Sequence, residues 1–236
     1  MSSNPPKVRD EPYASVTTLA EYLEASAVRR RSLLQKLKYP DPFSYRSYAA
    51  SRPAIAQAIR TGDRAHLDGA LSTWCNDDSG TEYQKDLRQR CIDAAEAFLE
   101  MIDGYSPDDL PDLEPFELED QAFRDREKIM ISGVTVSVAP DLLVTDTSKD
   151  TRGAIRLHLS KTAAFNDNQG AFAATLIDWW VSEHGGGLKS RLDHCMLIDV
   201  FTGRIHTAPK AFKMRRREIA AACQEMADLW PLITPR

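Results

Sequence analysis

Apolar positions in this chain follow one period up to about residue 102 and another from residue 129. Between residues 15 and 38, Leu19, Tyr22, Leu23, Ala27, Leu33, Leu34 and Leu37 recur at helical spacing, which predicts helix with a break near Ser26. Thr17-Thr18 can cap it, and Glu21 lies within its first turn. Tyr39-Pro40-Asp41-Pro42 stops it, because proline cannot continue a helix. Residues 43–60 read as a second helix, entered near Ser44 and closed by Thr61-Gly62. Pro53 either interrupts that helix or stands in the first turn of one capped by Ser51. Residues 63–74 read as a third helix and residues 76–80 as a loop. Residues 81–102 carry the strongest helical pattern, with Tyr83, Leu87, Cys91, Ala94, Ala95, Phe98 and Ile102 on one face and charge on the other. Gly104 follows as a natural stop.

From residue 129 the period changes to two. Val134, Val136 and Val138 alternate with Thr135 and Ser137 as in a half-buried strand. Ala139-Pro140 interrupts, residues 141–145 resume, and residues 146–153 form a polar turn. Residues 154–159 alternate again, with Ile155, Leu157 and Leu159 on one face and Arg156, His158 and Ser160 on the other. Residues 166–184 read as a helix ended by Gly185-Gly186-Gly187. Residues 195–201 read as an apolar strand, Thr202-Gly203 as a tight turn, residues 204–207 as a paired strand and residues 213–229 as a closing helix. The acidic, proline-spaced residues 105–120 sustain neither period and read as a connecting loop. The expected architecture is α/β: a flexible arm over residues 1–14, a helical N-terminal region over 15–75, and a mixed-sheet core over 76–236 that includes the loop 105–120.

Composition narrows the class. The 236 residues have the apolar, charged and glycine content of a globular protein, and no apolar run approaches the ~20 residues that span a bilayer. The N-terminal sixteen residues have no apolar segment behind a basic one, so they do not read as a secretory signal. The four scattered cysteines make no CxxC pair, which argues against a zinc ribbon and for reduced thiols, so a cytoplasmic location with no membrane partner is expected. The net charge of −5 hides a pattern. Residues 1–60 carry ten Lys/Arg against five Asp/Glu, whereas residues 76–128 carry six against seventeen. Two triplets, Arg29-Arg30-Arg31 and Arg215-Arg216-Arg217, stand on helical patterns and are candidate phosphate contacts. The acidic loop 105–120 is a candidate docking site for a protein partner. Neither G-x-G-x-x-G nor a P-loop signature is present.

The candidate chemistry lies in the strand region. Pro140-Asp141 opens one strand and Lys161 follows the next, with Glu96 and Glu100 on the preceding helix and Gln169 on the following one. This resembles the PD-(D/E)XK, or restriction-endonuclease-like, superfamily, including its RecB-type branch. The resemblance covers roughly residues 81–206 and implies an αβββαβ core. It implies Asp141, Lys161 and Gln169 as catalytic positions, with Asp141 and Glu96 or Glu100 holding Mg²⁺ or Mn²⁺ if the site is active. Such ions, shared by carboxylates on adjacent strands, polarise a phosphate and lower the pKa of an attacking water. The sequence departs from the pattern at Leu159, which stands where the second strand carboxylate belongs and cannot ligate a cation. The expected function is therefore a nucleic-acid-associated protein with a degenerate, non-catalytic core, in a prokaryotic defence or mobile-element setting that only the resemblance implies. The alternatives are a divergent metal-dependent nuclease with a relocated carboxylate, and a protein-binding adaptor.

Overall fold

The computed structural model describes residues 8–41, 47–104, 117–120 and 128–235. The architecture is mixed α/β. Helices α1 (Val16–Glu24), α2 (Ala27–Lys38), α3 (Ser51–Thr61), α4 (Ala65–Asn76) and α5 (Glu82–Gly104) follow a short strand β1 (Tyr13–Ser15). Strands β2 (Glu117–Asp120), β3 (Ile129–Ile131), β4 (Val134–Ser137), β5 (Leu142–Asp146) and β6 (Thr151–His158) come next. Helix α6 (Asp167–His184), strands β7 (Lys189–Asp199) and β8 (Arg204–Thr207), helix α7 (Phe212–Leu229) and a 3-10 turn (Trp230–Leu232) complete the described chain. No helix among the described residues is long and apolar enough to cross a membrane.

The larger sheet has the order β2-β5-β6-β7-β8. Its β6–β7 pair is parallel and the others are antiparallel. A parallel pair needs a crossover, which α6 supplies. Both faces of this sheet are covered. Leu142, Val144, Ile155, Leu157, Met196 and Ile198 pack with Ile55 of α3 and Ala94, Ala95, Phe98 and Met101 of α5. On the other face, Leu143, Ala154, Cys195 and Leu197 share a core with Phe172, Leu176 and Ile177 of α6 and with residues of α1, α2 and α7. The N-terminal helices thus divide between the two cores: α1 and α2 belong to one, α3 and α4 to the other.

Several boundaries differ from the sequence reading for local reasons. Ser15, rather than Thr17-Thr18, caps α1, its hydroxyl accepting from the Thr18 amide at 3.2 Å. The break near Ser26 is present, and Ser26 caps α2. Helix α3 begins at Ser51 with Pro53 in its first turn; no side chain caps it, and the expected entry at Ser44 lies outside the described residues. The run from residue 129 is a hairpin, because Ser132 and Gly133 both take positive φ (43° and 80°), as a two-residue turn between right-twisted strands requires. Its strand β4 pairs in parallel with β1 in a second, three-stranded sheet of order β1-β4-β3, so Tyr13 and Ala14 belong to a strand rather than to an arm. Ala139 at φ 47° turns the chain out of that sheet before β5. Within the acidic stretch, Glu117–Asp120 form an edge strand on β5, where Leu118 packs against the core; residues 105–116 lie outside the described residues.

Polar contacts tie the C-terminal segment to α2. Lys38 Nζ donates to the carbonyls of Trp230 (2.8 Å) and Ile233 (3.0 Å), and Tyr39 OH donates to Ile233 O at 3.2 Å. Trp230 Nε1 donates to Asp10 O at 3.1 Å.

Candidate functional site

The β5–β6 register decides what can face Asp141. Leu142 pairs with Ile155 and the Asp141 amide donates to Ile155 O at 2.7 Å, so Asp141 meets β6 at Arg156 and Leu157. Lys161 lies beyond the end of β6 and is not its cross-strand neighbour. The Asp141 side chain is fully buried. Its Oδ2 accepts from Arg52 Nη1 at 2.7 Å and from the Leu157 amide at 2.8 Å. The same Arg52 nitrogen donates to Leu157 O at 2.9 Å, so α3 is pinned to the sheet through one guanidinium. Arg52 carries no sequence signal beyond its charge, and 89 residues separate it from Asp141.

Lys161 turns instead to α5, where Nζ meets Asp93 Oδ2 at 2.5 Å beside the Phe201 ring. Burial pushes the Asp93 carboxyl up, but hydrogen bonds from Lys161 and Gln89 outweigh this and hold it below the usual carboxylate range. Glu96 and Glu100 are exposed on α5. Gln169 completes a capping box with Asn166: its side chain accepts from the Asn166 amide at 3.1 Å while its own amide donates to Asn166 Oδ1 at 2.8 Å. Asp141, Lys161 and Gln169 are thus each engaged in separate contacts.

These donors do not fit a Mg²⁺ or Mn²⁺ ion. Such an ion takes several oxygen ligands. Asp141 offers it one free oxygen, Oδ1. The facing residues Ile155, Arg156 and Leu157 contain no carboxylate. Among the described residues, no group of three or more His, Cys, Asp or Glu stands together as a metal would need.

A different polar cluster gathers at the C-terminal ends of the parallel strands, where α6 begins. His158 ends β6 opposite Asp199 at the end of β7. His158 Nε2 donates to Ala163 O at 2.7 Å, and its ring stacks on Phe165 with centroids 4.4 Å apart. Asp199 is fully buried; Oδ2 accepts from the Phe165 amide at 3.0 Å, and Oδ1 meets no donor among the described residues. His206 on β8 is buried, its Nε2 likewise unpartnered, with its ring against Gly170, where an added Cβ would fall 2.2 Å from it. Burial pushes the His158 pKa below the ordinary histidine value; Arg52 and Arg156 act the same way, and Ala163 O and Asp199 oppose. Burial lowers His206 too, opposed by Asp167 and Asp199 and helped by Arg204 and His158. In the sequence, Asp199 is one carboxylate inside an apolar strand run, and His158 falls on the polar face of its strand. The burial of that face under α6 is a tertiary fact that strand alternation does not carry.

The two arginine triplets are largely spent on the protein itself. Arg29 pairs with Glu21 at 2.5 Å and Arg30 with Glu225 of α7 at 2.9 Å. Arg216 reaches the buried Asp178 of α6 at 2.7 Å and lies over the Trp179 ring. Arg215 pairs with Glu218 and lies over Phe172. Arg31 and Arg217 are exposed, as are Lys36 and Lys213 beside them.

The chain matches no family model and no curated protein.

Proposed function

We propose that this chain works by binding rather than by cutting: a nucleic-acid-associated protein on a nuclease-like, non-catalytic frame of the PD-(D/E)XK kind. The observation that carries the reading is the Arg52 guanidinium on Asp141, 2.7 Å from the carboxylate that would otherwise receive a cation. A cation bound there would share a buried site with a fixed positive charge, and no second carboxylate faces it across β6. The order α5, β2, β5, β6, α6, β7 supports the frame: it is a helix, three strands, a helix and a strand, with the four strands adjacent in one sheet and the β3–β4 hairpin inserted. Phosphate contact falls to Arg31 and Lys36 on α2 and to Lys213 and Arg217 on α7, the exposed bases of those helices that lie outside the ion pairs above. A role in a prokaryotic defence or mobile-element system follows from the resemblance alone.

The test incubates the purified chain with single- and double-stranded DNA and RNA in Mg²⁺ and in Mn²⁺, beside D141A. Retention without cleavage is expected. Retention should weaken with salt, and replacing Arg31, Lys36, Lys213 and Arg217 by Gln should lower the slope by about 0.9 per lost duplex-DNA phosphate contact. Cleavage that D141A abolishes would overturn the non-catalytic reading. Absence of retention at low salt would overturn the binding reading.

A further inference from the structure

The three-stranded sheet β1-β4-β3 turns one face to the core, where Ile129, Ile131, Val134 and Val136 are buried. The other face carries Tyr13, Thr135 and Met130 in one row, because Tyr13 and Met130 both pair with Thr135. Met130 is 62% exposed there. Along the row lies a groove of about 360 Å³, lined by Arg9, Tyr13, Lys128 and Thr135 together with Asp10 and Glu11. That volume falls within the ~300–1,000 Å³ of small-ligand sites. Two cations lie over the Tyr13 ring, the Arg9 guanidinium 4.4 Å and Lys128 Nζ 5.7 Å from its centroid. Neither pairs with a carboxylate among the described residues, although Asp10 and Glu11 stand in the same groove. Arg9 is also tied to the end of α2, its Nη1 donating to Leu37 O at 3.1 Å and its amide to Lys38 O at 2.9 Å. The groove therefore adjoins the helix that presents Arg31 and Lys36.

We propose that this sheet face is a platform for a single strand of nucleic acid, with phosphate held by Arg9 and Lys128 and a base stacked at Tyr13. The proposal rests on the nucleic-acid reading above and selects a single strand over a duplex. Two like charges gathered on one ring without an acid between them leave a place for an anion. A base meets a flat π surface there, either the ring or the guanidinium that covers it, and stacking of this kind accepts any base. The Met130 thioether extends the apolar surface along the row. Asp10 and Glu11 repel phosphate and accept from base amino groups, so phosphate falls to the two cations and the base to the ring. A duplex keeps its bases stacked inside and offers this face its backbone alone. The Arg31 and Lys36 side of α2 continues the phosphate track beyond Arg9.

Photo-crosslinking of the full chain to iodouracil-bearing single-stranded DNA and RNA, read by peptide mass spectrometry, locates the contact. Adducts are expected on Tyr13 or Met130. Binding of oligo-dT, oligo-rU and a DNA duplex is measured in parallel over a salt series. Y13L should weaken single-strand binding by about fivefold or more, the loss of one stacked base, and leave duplex binding as it is. Y13F, which keeps the ring, should bind as wild type does. K128Q should lower the single-strand salt slope by about 0.7, one phosphate contact. Where Y13L fails to fold, K128Q and the wild-type adducts decide. Adducts confined to other surfaces, equal binding by Y13L and Y13F, or an unchanged slope in K128Q would overturn the platform while leaving the nucleic-acid reading in place. Absence of retention of every oligonucleotide at low salt would overturn both.

Discussion

Replacing Arg52 by Ala tests the central ion pair from the stability side. The change removes the guanidinium from a carboxylate with no exposure to water, leaving Asp141 with the Leu157 amide as its remaining donor. Removing one partner of a buried pair costs about 3–5 kcal/mol, because the remaining charge stays buried without compensation. The Arg52 side chain keeps 22% of its surface exposed, so the pair is partly screened and the lower figure of about 3 kcal/mol applies. For a chain of this size that corresponds to a fall of roughly 6–12 °C in Tm. The companion D141A leaves an arginine that can swing toward water, so a smaller loss of about 1–2 kcal/mol is expected. Urea unfolding of wild type, both single variants and the double variant closes a thermodynamic cycle. Coupling of about 2 kcal/mol is expected, and R52M/D141L should recover much of the loss by filling the site with apolar volume. Coupling under about 0.5 kcal/mol would refute the reasoning, since Asp141 would then be independent of Arg52 and open to another cation. A calorimetric titration of R52A with Mn²⁺ adds a second reading: no binding is expected, because Leu159 and the residues facing Asp141 supply no further carboxylate.

Global stability should fall below about pH 6.5, since His158, His194 and His206 are all buried with pKa values lowered first by burial. The unfolded state binds more protons there, so each neutral histidine contributes up to about 1.4 kcal/mol of loss per pH unit, read from urea midpoints at pH 7.5 and 5.5. Equal midpoints would contradict it. Gly153→Ala places a Cβ 2.3 Å from the His194 carbonyl at the irregular point of the β6–β7 ladder, and a loss of about 1–3 kcal/mol should appear in thermal melts. Ser15→Ala removes the acceptor for the Thr18 amide and should cost about 1 kcal/mol in the same measurement, with Ser15→Asp restoring most of it.

The sequence made the class and most elements legible because their signals are local. The 3–4 spacing through α5 and the glycines after His184 each act within one or two turns. The β3–β4 turn was hidden because Ser132-Gly133 is as short as a turn can be, and its one mark in the pattern is a change of parity in the buried positions, from Ile129 and Ile131 to Val134 and Val136. Strand β2 was hidden for the opposite reason: its acidic residues have low strand propensity, and pairing on the edge of β5 overrides it. At the site, counting twenty residues from Asp141 to Lys161 carried no register. The β5–β6 hairpin sets that register, and it puts Arg156 and Leu157 opposite Asp141. Arg52, Asp93 and Asp199 come from distant segments, and no local pattern links them to the residues they meet.

The clasp between α2 and residues 230–234 has a consequence for how the chain is made. Lys38 and Tyr39 bind carbonyls 192 to 195 positions later in sequence. Synthesis at about 5–20 residues per second separates those partners by roughly 10–40 seconds. Through that interval Leu33, Leu34 and Leu37 have no Trp230 or Ile233 to close over them, although all five residues end in one core. The nascent chain therefore carries an α2 face that α1 and β1 cover in part and that residues 230–233 complete. Closing so long a loop places the slow step of folding after synthesis of the sheet.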